Sequence, residues 1–293
     1  MKKYRYKKVN AFTSGTSNGN PAAYLIIDDG ELSKEEMLKI GKEHSGFVSE
    51  VVFCTHSDIA DIKLTYYSSE CEVDFCGHGT IATMYDLISC DNKLKLKNEI
   101  MIETNKKGIL KVYNSLKEED AVYITAPKAK QLNLNVSVEQ IADALDIHSN
   151  EIDEKYSVDF IDAGLRTLIV PISKYEKEIS IYPDEAKLKK FCMDNEIDII
   201  LIFSKTASSE QYIAHTRVFA PKFGYLEDPA TGSGNSAFAS YLLKNDVWDG
   251  SQIMIEQGGD NIAFNTVKLK MKEDQILFGG KANVIIEGVY YVN

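Results

Sequence analysis

The 293-residue chain carries 33 Lys and Arg against 44 Asp and Glu, a formal charge of −11 at pH 7 and a pI near 5.1. That balance excludes a general phosphate-backbone binder, which needs a basic face to displace counterions, so no nucleic-acid partner is expected. An apolar fraction of 44% supplies an ordinary core, yet no stretch approaches the ~18–20 consecutive apolar residues of a membrane span, and no membrane partner is expected either.

In chain order, the basic segment 1–8 is not followed by an apolar run, so it does not read as a secretory signal. Alternating or β-branched runs predict strands over 6–12, 22–27, 47–54, 62–67, 100–104, 109–113 and 122–126. Further runs predict strands over 168–171, 199–203, 212–219, 253–256, 267–271, 275–278 and 284–291. Two helices announce themselves through capping boxes, Ser33-Lys-Glu-Glu36 and Ser137-Val-Glu-Gln140, in which Ser and Glu or Gln satisfy each other's backbone N–H groups. Two more follow glycine-rich turns, over 80–89 and 235–245. The polar stretch 126–135 is where a domain boundary is expected, giving halves 1–126 and 127–283. Cys54, Cys71, Cys76, Cys90 and Cys192 are odd in number and contain no Cys-x-x-Cys. They read as reduced thiols rather than a disulfide framework or zinc site, and the expected setting is cytoplasmic.

One internal comparison organises the remaining residues. The first glycine-rich turn reads Asp74-Phe-Cys-Gly-His-Gly-Thr-Ile-Ala82, and the second reads Asp228-Pro-Ala-Thr-Gly-Ser-Gly-Asn-Ser-Ala237. Aligning the glycines pairs Cys76 with Thr231, Gly77 with Gly232, His78 with Ser233 and Gly79 with Gly234. Such an echo predicts two similar halves. Glycines let backbone N–H groups approach a ligand, and a helix N-terminus adds unpaired donors and partial positive charge. Two such turns facing each other would grip a carboxylate or stabilise an enolate-like oxyanion. Read singly, either turn could also be a plain strand-to-helix connection.

At these residues the sequence resembles the PhzF family, the phenazine-biosynthesis-like proteins, within the diaminopimelate epimerase and proline racemase superfamily. The resemblance runs through Gly19-Asn-Pro-Ala-Ala23, Ser49-Glu50, Asp74-Phe-Cys-Gly-His-Gly-Thr80, Gly164-Leu-Arg-Thr167, Arg217-Val-Phe-Ala-Pro221, Glu227-Asp-Pro-Ala-Thr-Gly-Ser-Gly234 and Glu256-Gln-Gly258. It implies an α+β fold of two pseudo-symmetric domains, each a curled, mostly antiparallel sheet around a central helix, with the active site between them. A last strand at about 284–293 would return to the first domain, and a homodimer is expected because relatives are often dimeric. Family members often carry Gly-Arg-Pro-Ser after Glu-Gln-Gly; this chain reads Gly258-Gly-Asp-Asn-Ile-Ala-Phe264 instead, which bears on substrate identity more than on fold.

The two-base racemases of the superfamily use one cysteine from each half. This chain keeps Cys76 but has Thr231 opposite it, and a threonine hydroxyl is far too weak a base near pH 7. A single acid/base moving a proton between two carbons is the better candidate. Glu50 lies in the apolar run Phe47-Val-Ser-Glu-Val-Val-Phe53, where burial would penalise its charged form and favour proton shuttling; alternatively it faces solvent on an edge strand. The resemblance assigns that position the proton-transfer role. His78 is either a donor or relay to a substrate oxygen or amine, or a histidine bonded to a loop carbonyl. Asp228 either orients His78 or binds a substrate amino or hydroxyl group, or is a turn residue before Pro229. The resemblance favours the functional reading of both. Ser233 and the N–H groups of Gly77, Gly79, Gly232 and Gly234 are candidate oxyanion and carboxylate donors, with Asn20 and Ser49 as further substrate contacts. Cys76 reads either as a substrate-facing thiol or as a small packing residue. His44, His56, His148 and His215 form no ligand-spaced pair, and no Gly-x-Gly-x-x-Gly or Walker loop is present, so neither metal nor nucleotide cofactor is expected. The residues therefore point to a cofactor-independent isomerase of a small carboxylate-bearing metabolite, with dihydro-hydroxyanthranilate-type chemistry as the family precedent. The rivals are an epimerase using Cys76 with a non-thiol partner, and a ligand-binding protein without catalysis.

Overall fold

The computed structural model describes residues 1–28 and 30–292. Strands β1 (Lys2–Ala11) and β2 (Asn20–Ile26) precede helix α1 (Lys34–Glu43), followed by β3 (Val51–Thr55), β4 (Ile62–Tyr67) and β5 (Glu72–Val73). Helix α2 (Gly77–Cys90), the short α3 (Asn92–Lys95), β6 (Glu99–Thr104), β7 (Gly108–Ser115), α4 (Leu116–Glu119) and β8 (Ala121–Thr125) come next. Then follow β9 (Lys130–Gln131), α5 (Val138–Ala144), β10 (Asp159–Asp162), β11 (Arg166–Pro171), α6 (Tyr175–Glu178), α7 (Glu185–Asp194), β12 (Ile199–Ser204), β13 (Ala214–Phe219) and β14 (Glu227–Asp228). Helix α8 (Gly232–Lys244), β15 (Ile253–Gln257), β16 (Asn265–Lys272), β17 (Gln275–Gly280) and β18 (Ala282–Val292) complete the order. No helix among the described residues is long and apolar enough to cross a membrane. The architecture is α+β and dominated by sheet.

The chain divides into two compact units, one of residues 1–13, 18–125 and 279 onward, the other of residues 14–17 and 126–278. In the first unit β1 pairs antiparallel with both β2 and β18. Strand β2 runs parallel to β3, β3 antiparallel to β4, and β4 both antiparallel to β5 and parallel to β6. The second unit repeats this order. Strand β10 pairs antiparallel with β11, β11 parallel with β12, β12 antiparallel with β13, and β13 both antiparallel with β14 and parallel with β15. The echo between the glycine turns thus extends to the strands that lead into and out of them.

Side chains alternate between the two faces of a strand, and in central strands such as β3, β12 and β13 both faces are covered. In the first unit Ala23, Leu25, Val51 and Phe53 join Ile40 of α1 and Tyr4, Tyr6 and Tyr67 in one core cluster. Their neighbours Tyr24 and Val52 turn the other way, toward α2, where Tyr24 bonds Asp86 and Val52 packs against Gly79. In the second unit Ile200 and Ile202 join a cluster with Ile141 of α5 and Leu188 of α7. Phe203 turns toward α8, its ring 4.8 Å from that of Phe238. A strand covered on both faces reads as an unbroken apolar run, which is what Ile199-Ile-Leu-Ile-Phe203 is.

Local sequence signals were followed closely where they act within one turn. Ser33 and Ser137 cap α1 and α5, and both capping boxes form in full. The strand expected over 47–54 begins only at Val51, because residues 44–47 continue as turns after α1. Glu50 therefore lies in the approach to β3 and not within it. Helix α7, capped by Asp184, and strand β10 were not expected; the one is short and strongly charged, the other is the four residues Asp159-Phe-Ile-Asp162 with carboxylates at both ends.

Candidate active site

The first glycine turn delivers two reactive side chains, Cys76 and His78, to the N-terminus of α2. Cys76 is the N-cap residue, in extended conformation, and its Sγ accepts the N–H of Gly79 at 3.2 Å. A side chain at position 79 would meet Cys76 Sγ at 3.0 Å and Val52 Cγ2 at 3.1 Å, so glycine lets the helix start close against β3. The first helical bond runs from Thr80 N–H to Cys76 carbonyl, which also accepts the Thr80 hydroxyl at 2.7 Å. Thr80 Oγ1 in turn lies 2.8 Å from the phenol of buried Tyr66 on β4, whose pKa burial pushes far up. These bonds fix the cap against the sheet.

Glu50 reaches the same point from the start of β3. Its carbonyl accepts the N–H of Ala23 at 3.2 Å, continuing the parallel β2–β3 ladder by one residue and aiming the side chain at the helix end. Glu50 Oε2 lies 3.3 Å from His78 Nε2 and 3.5 Å from Cys76 Sγ, and His78 Nδ1 lies 3.5 Å from the same sulfur. The His78 and Glu50 side chains retain 14% and 20% exposure, whereas Cys76 is buried, so solvent reaches the cluster through the imidazole and the carboxylate. Helix α2 has no acidic residue in its own first turn. Glu50 supplies the anion that the positive helix end favours.

The second turn has the same backbone and different chemistry. Thr231 is the N-cap of α8 with nearly the same dihedral angles as Cys76, φ −117° and ψ 114° against −127° and 112°. Its hydroxyl accepts from Gln257 Nε2 at 3.3 Å. Gln257, fully buried on β15, accepts the Thr231 N–H at 3.1 Å and the Asn235 amide at 2.7 Å, and donates to the Asp228 carbonyl at 2.9 Å. One side chain thereby holds the whole turn. Asp228 Oδ1 accepts the N–H of Ala230 at 3.3 Å, and Ser233 is half-buried in the first turn of α8. Gly232 packs so tightly on Phe278 that a Cβ would come within 2.2 Å of the ring.

Beneath β14 lies a buried set of ionisable groups. Arg217 is fully buried, forks onto Glu227 at 3.0 and 2.8 Å, and donates to the carbonyls of Glu178, Ile179 and Ile181. Its guanidinium also explains the glycine at 259, where a Cβ would meet Arg217 Nη2 at 2.9 Å. His215 Nδ1 lies 2.5 Å from Glu178 Oε2; burial pushes the Glu178 carboxyl above its ordinary range, and His215 and Arg217 offset that only in part.

Of the residues expected to form a site, Glu50, Cys76 and His78 are brought into mutual contact, and Gly77 opens the helix on which they converge. Gly79 is corrected: its N–H is occupied by Cys76 Sγ and is not held out to a ligand. Asn20 is buried at the first position of β2, behind Gly19, whose positive φ of 64° leaves no room for a side chain against the Ala11 carbonyl. Ser49 is exposed beside Glu50. Asp228, Gly232, Ser233 and Gly234 form the second turn. Sequence reasoning gave no role to Gln257 or Asn235; the only signal was that Gln257 stands inside the matching Glu-Gln-Gly block.

The family model described as PhzC-PhzF, phenazine biosynthesis-like protein, matches residues 9–288. The uncharacterized isomerase YfhB of Bacillus subtilis is 28% identical over 292 residues, covering 98% of this chain and 96% of that protein. A Bacillus anthracis phenazine biosynthesis protein of the PhzF family superposes with a TM-score of 0.86 at 25% identity, with all of each chain covered. A probable proline racemase from Agrobacterium radiobacter shares the fold at a TM-score of 0.62 and 12% identity, covering 99% of this chain and 93% of that one. A model match spanning nearly every strand and both glycine turns leaves one conclusion: this chain belongs to the phenazine biosynthesis-like family.

Proposed function

We propose that the chain is a cofactor-independent isomerase of a small carboxylate-bearing metabolite, in which Glu50 takes a proton from one carbon and returns it to another. The observation that carries this reading is the meeting of Glu50, His78 and Cys76 at the positive end of α2, with Glu50 Oε2 3.3 Å from His78 Nε2. A carboxylate bonded to an imidazole can exchange a proton with a carbon acid while the imidazole donates to, or relays a proton from, a neighbouring heteroatom. In this reading the N–H of Gly77, in a helical first turn that offers it no intrahelical acceptor, stabilises developing negative charge. Two-thiol racemisation is disfavoured because the residue matching Cys76 is Thr231, whose hydroxyl is engaged by Gln257. Relatives named as isomerases support the reaction class, and the family precedent makes dihydro-hydroxyanthranilate the first compound to test.

The test is deuterium uptake at carbon in D₂O across a panel of small amino- and hydroxy-carboxylates. Exchange or isomer formation by the native protein, lowered at least ~100-fold in Glu50→Gln, supports the assignment. Exchange that persists undiminished in Glu50→Gln removes Glu50 from the reaction. A second reading has one observation in its favour, the 3.5 Å separation of Cys76 Sγ from both Glu50 and His78, which is the setting of an activated thiol. Loss of exchange in Cys76→Ser alongside retention in Glu50→Gln would select that epimerase. Binding of panel members without any exchange would leave only a ligand-binding role.

A further inference from the structure

We propose that Glu50, Cys76 and His78 together form a three-ligand site for a soft divalent cation, Zn²⁺ or its spectroscopic substitute Co²⁺. The site stands on geometry and does not depend on the isomerase reading.

Three kinds of donor meet here: a thiol, an imidazole and a carboxylate, all within 4.8 Å of one another. Thiolate and imidazole select zinc and cobalt over magnesium and calcium, which want only oxygen. A tetrahedral ion with bonds of about 2.3 Å to sulfur and about 2.0–2.2 Å to nitrogen and oxygen holds its ligand atoms roughly 3.3–3.6 Å apart. The observed separations are 3.5 Å from Cys76 Sγ to Glu50 Oε2, 3.3 Å from Glu50 Oε2 to His78 Nε2, and 3.9 Å from Cys76 Sγ to His78 Nε2. Two edges already have the length of a metal tetrahedron, and a small rotation of the His78 ring closes the third. The sulfur is held in place by the Gly79 N–H, so one ligand is oriented before any ion arrives. His78 and Glu50 remain partly exposed, which leaves an entry path and a fourth position for water, as in open three-ligand zinc sites.

The histidine spacing along the chain could not show this, because the only histidine used is His78 and its co-ligands are two residues before it and twenty-eight residues before it. The ion would be a competitor for the proposed chemistry and not its helper, since it occupies the Glu50 oxygen that would carry the proton. Zinc is therefore expected to bind whether or not a substrate has been found, and to suppress exchange reversibly once one has.

The experiment is a titration of the full-length, reduced protein with Co²⁺, read by sulfur-to-cobalt charge-transfer absorption and by calorimetry, with Zn²⁺ added to displace it. One equivalent should bind with a charge-transfer band. That band should vanish in Cys76→Ser, and cobalt affinity should fall in His78→Gln and Glu50→Gln by at least the ~10–100-fold that losing a mere supporting contact costs a metal site. Cys71→Ser and Cys90→Ser, which remove the two exposed thiols, should leave the band unchanged. Circular dichroism of each variant checks its fold, and His78→Gln carries the test should Cys76→Ser not fold. Absence of a thiolate–cobalt band in the native protein, or its survival in Cys76→Ser or at full affinity in His78→Gln, overturns the site.

Discussion

Glu50 and Asp198 stand at equivalent places in the two units, each one residue before the strand that runs parallel to its predecessor, β3 after β2 and β12 after β11. Their surroundings differ completely. Asp198 accepts from the Arg166 N–H at 2.9 Å, from the Arg166 guanidinium at 3.2 Å and from Lys222. It is a structural ion held by cations, whereas the Glu50 carboxylate meets His78 and Cys76. Side-chain size is decided at the same scale. Gly232→Ala would drive a methyl into the Phe278 ring, and overpacking of this kind costs about 1–3 kcal/mol. Urea denaturation should show that loss, with Phe278→Leu in the same chain recovering much of it. An unchanged midpoint would mean that the ring moves away freely.

At the level of elements, helix α2 is tied to the sheet by charge as well as by apolar packing. Lys7 on β1 and Asp86 on α2 are both buried and 2.8 Å apart, and the Tyr24 phenol from β2 donates to the same Asp86 oxygen, Oδ2. Burial is the largest single effect and by itself would lower the Lys7 pKa, but the Asp86 hydrogen bond and the negative charges around the ammonium together outweigh it and the net shift is upward. Removing Asp86 leaves buried Lys7 with the more distant and exposed Glu287 at 3.6 Å, a weak replacement for a buried ion's partner. Asp86→Ala should therefore lose about 3–5 kcal/mol, while Lys7→Met with Asp86→Leu should lose much less. Thermal unfolding of the three proteins distinguishes the cases: equal losses in single and double variants would mean that water reaches Lys7. The segment that carries Asp86 was legible as helix, over 80–89, from the glycine turn before it. The partnership of residues 7, 24 and 86 was not, because no local pattern links three positions so far apart.

For the molecule as a whole, acid stability follows from where carboxylates are held by cations. Burial by itself would raise the Asp198 carboxyl, but the bonds from Arg166 and Lys222 outweigh it and hold it below its ordinary value. A carboxyl depressed in the folded state contributes stability that is present above the unfolded value, about 3.9, and is lost as pH falls through the folded one. Asp198→Asn should accordingly be less stable than the native protein at neutral pH, with the gap closing as the medium is acidified below about pH 4. Chemical denaturation across that range measures it; a gap independent of pH would show that the lost contacts, and not the charge, matter.

The sequence by itself determined the family, the sheet-rich α+β class and the two helix starts marked by capping boxes. Each of these rests on residues that act within a few positions of one another, such as Ser33 with Glu36 or Gly77 with Gly79. It also singled out Glu50, Cys76 and His78 as separate candidates. Only the tertiary structure decided that these three touch, that Glu50 precedes its strand, that the Gly79 N–H belongs to Cys76, and that Gln257 holds the second turn. Three of the four share one physical reason: they depend on strands distant in sequence coming into register, and a pairing offset by one residue would turn those side chains to the opposite face. The Gly79 bond is local, three residues from Cys76, and is decided by the side-chain conformation of the helix cap.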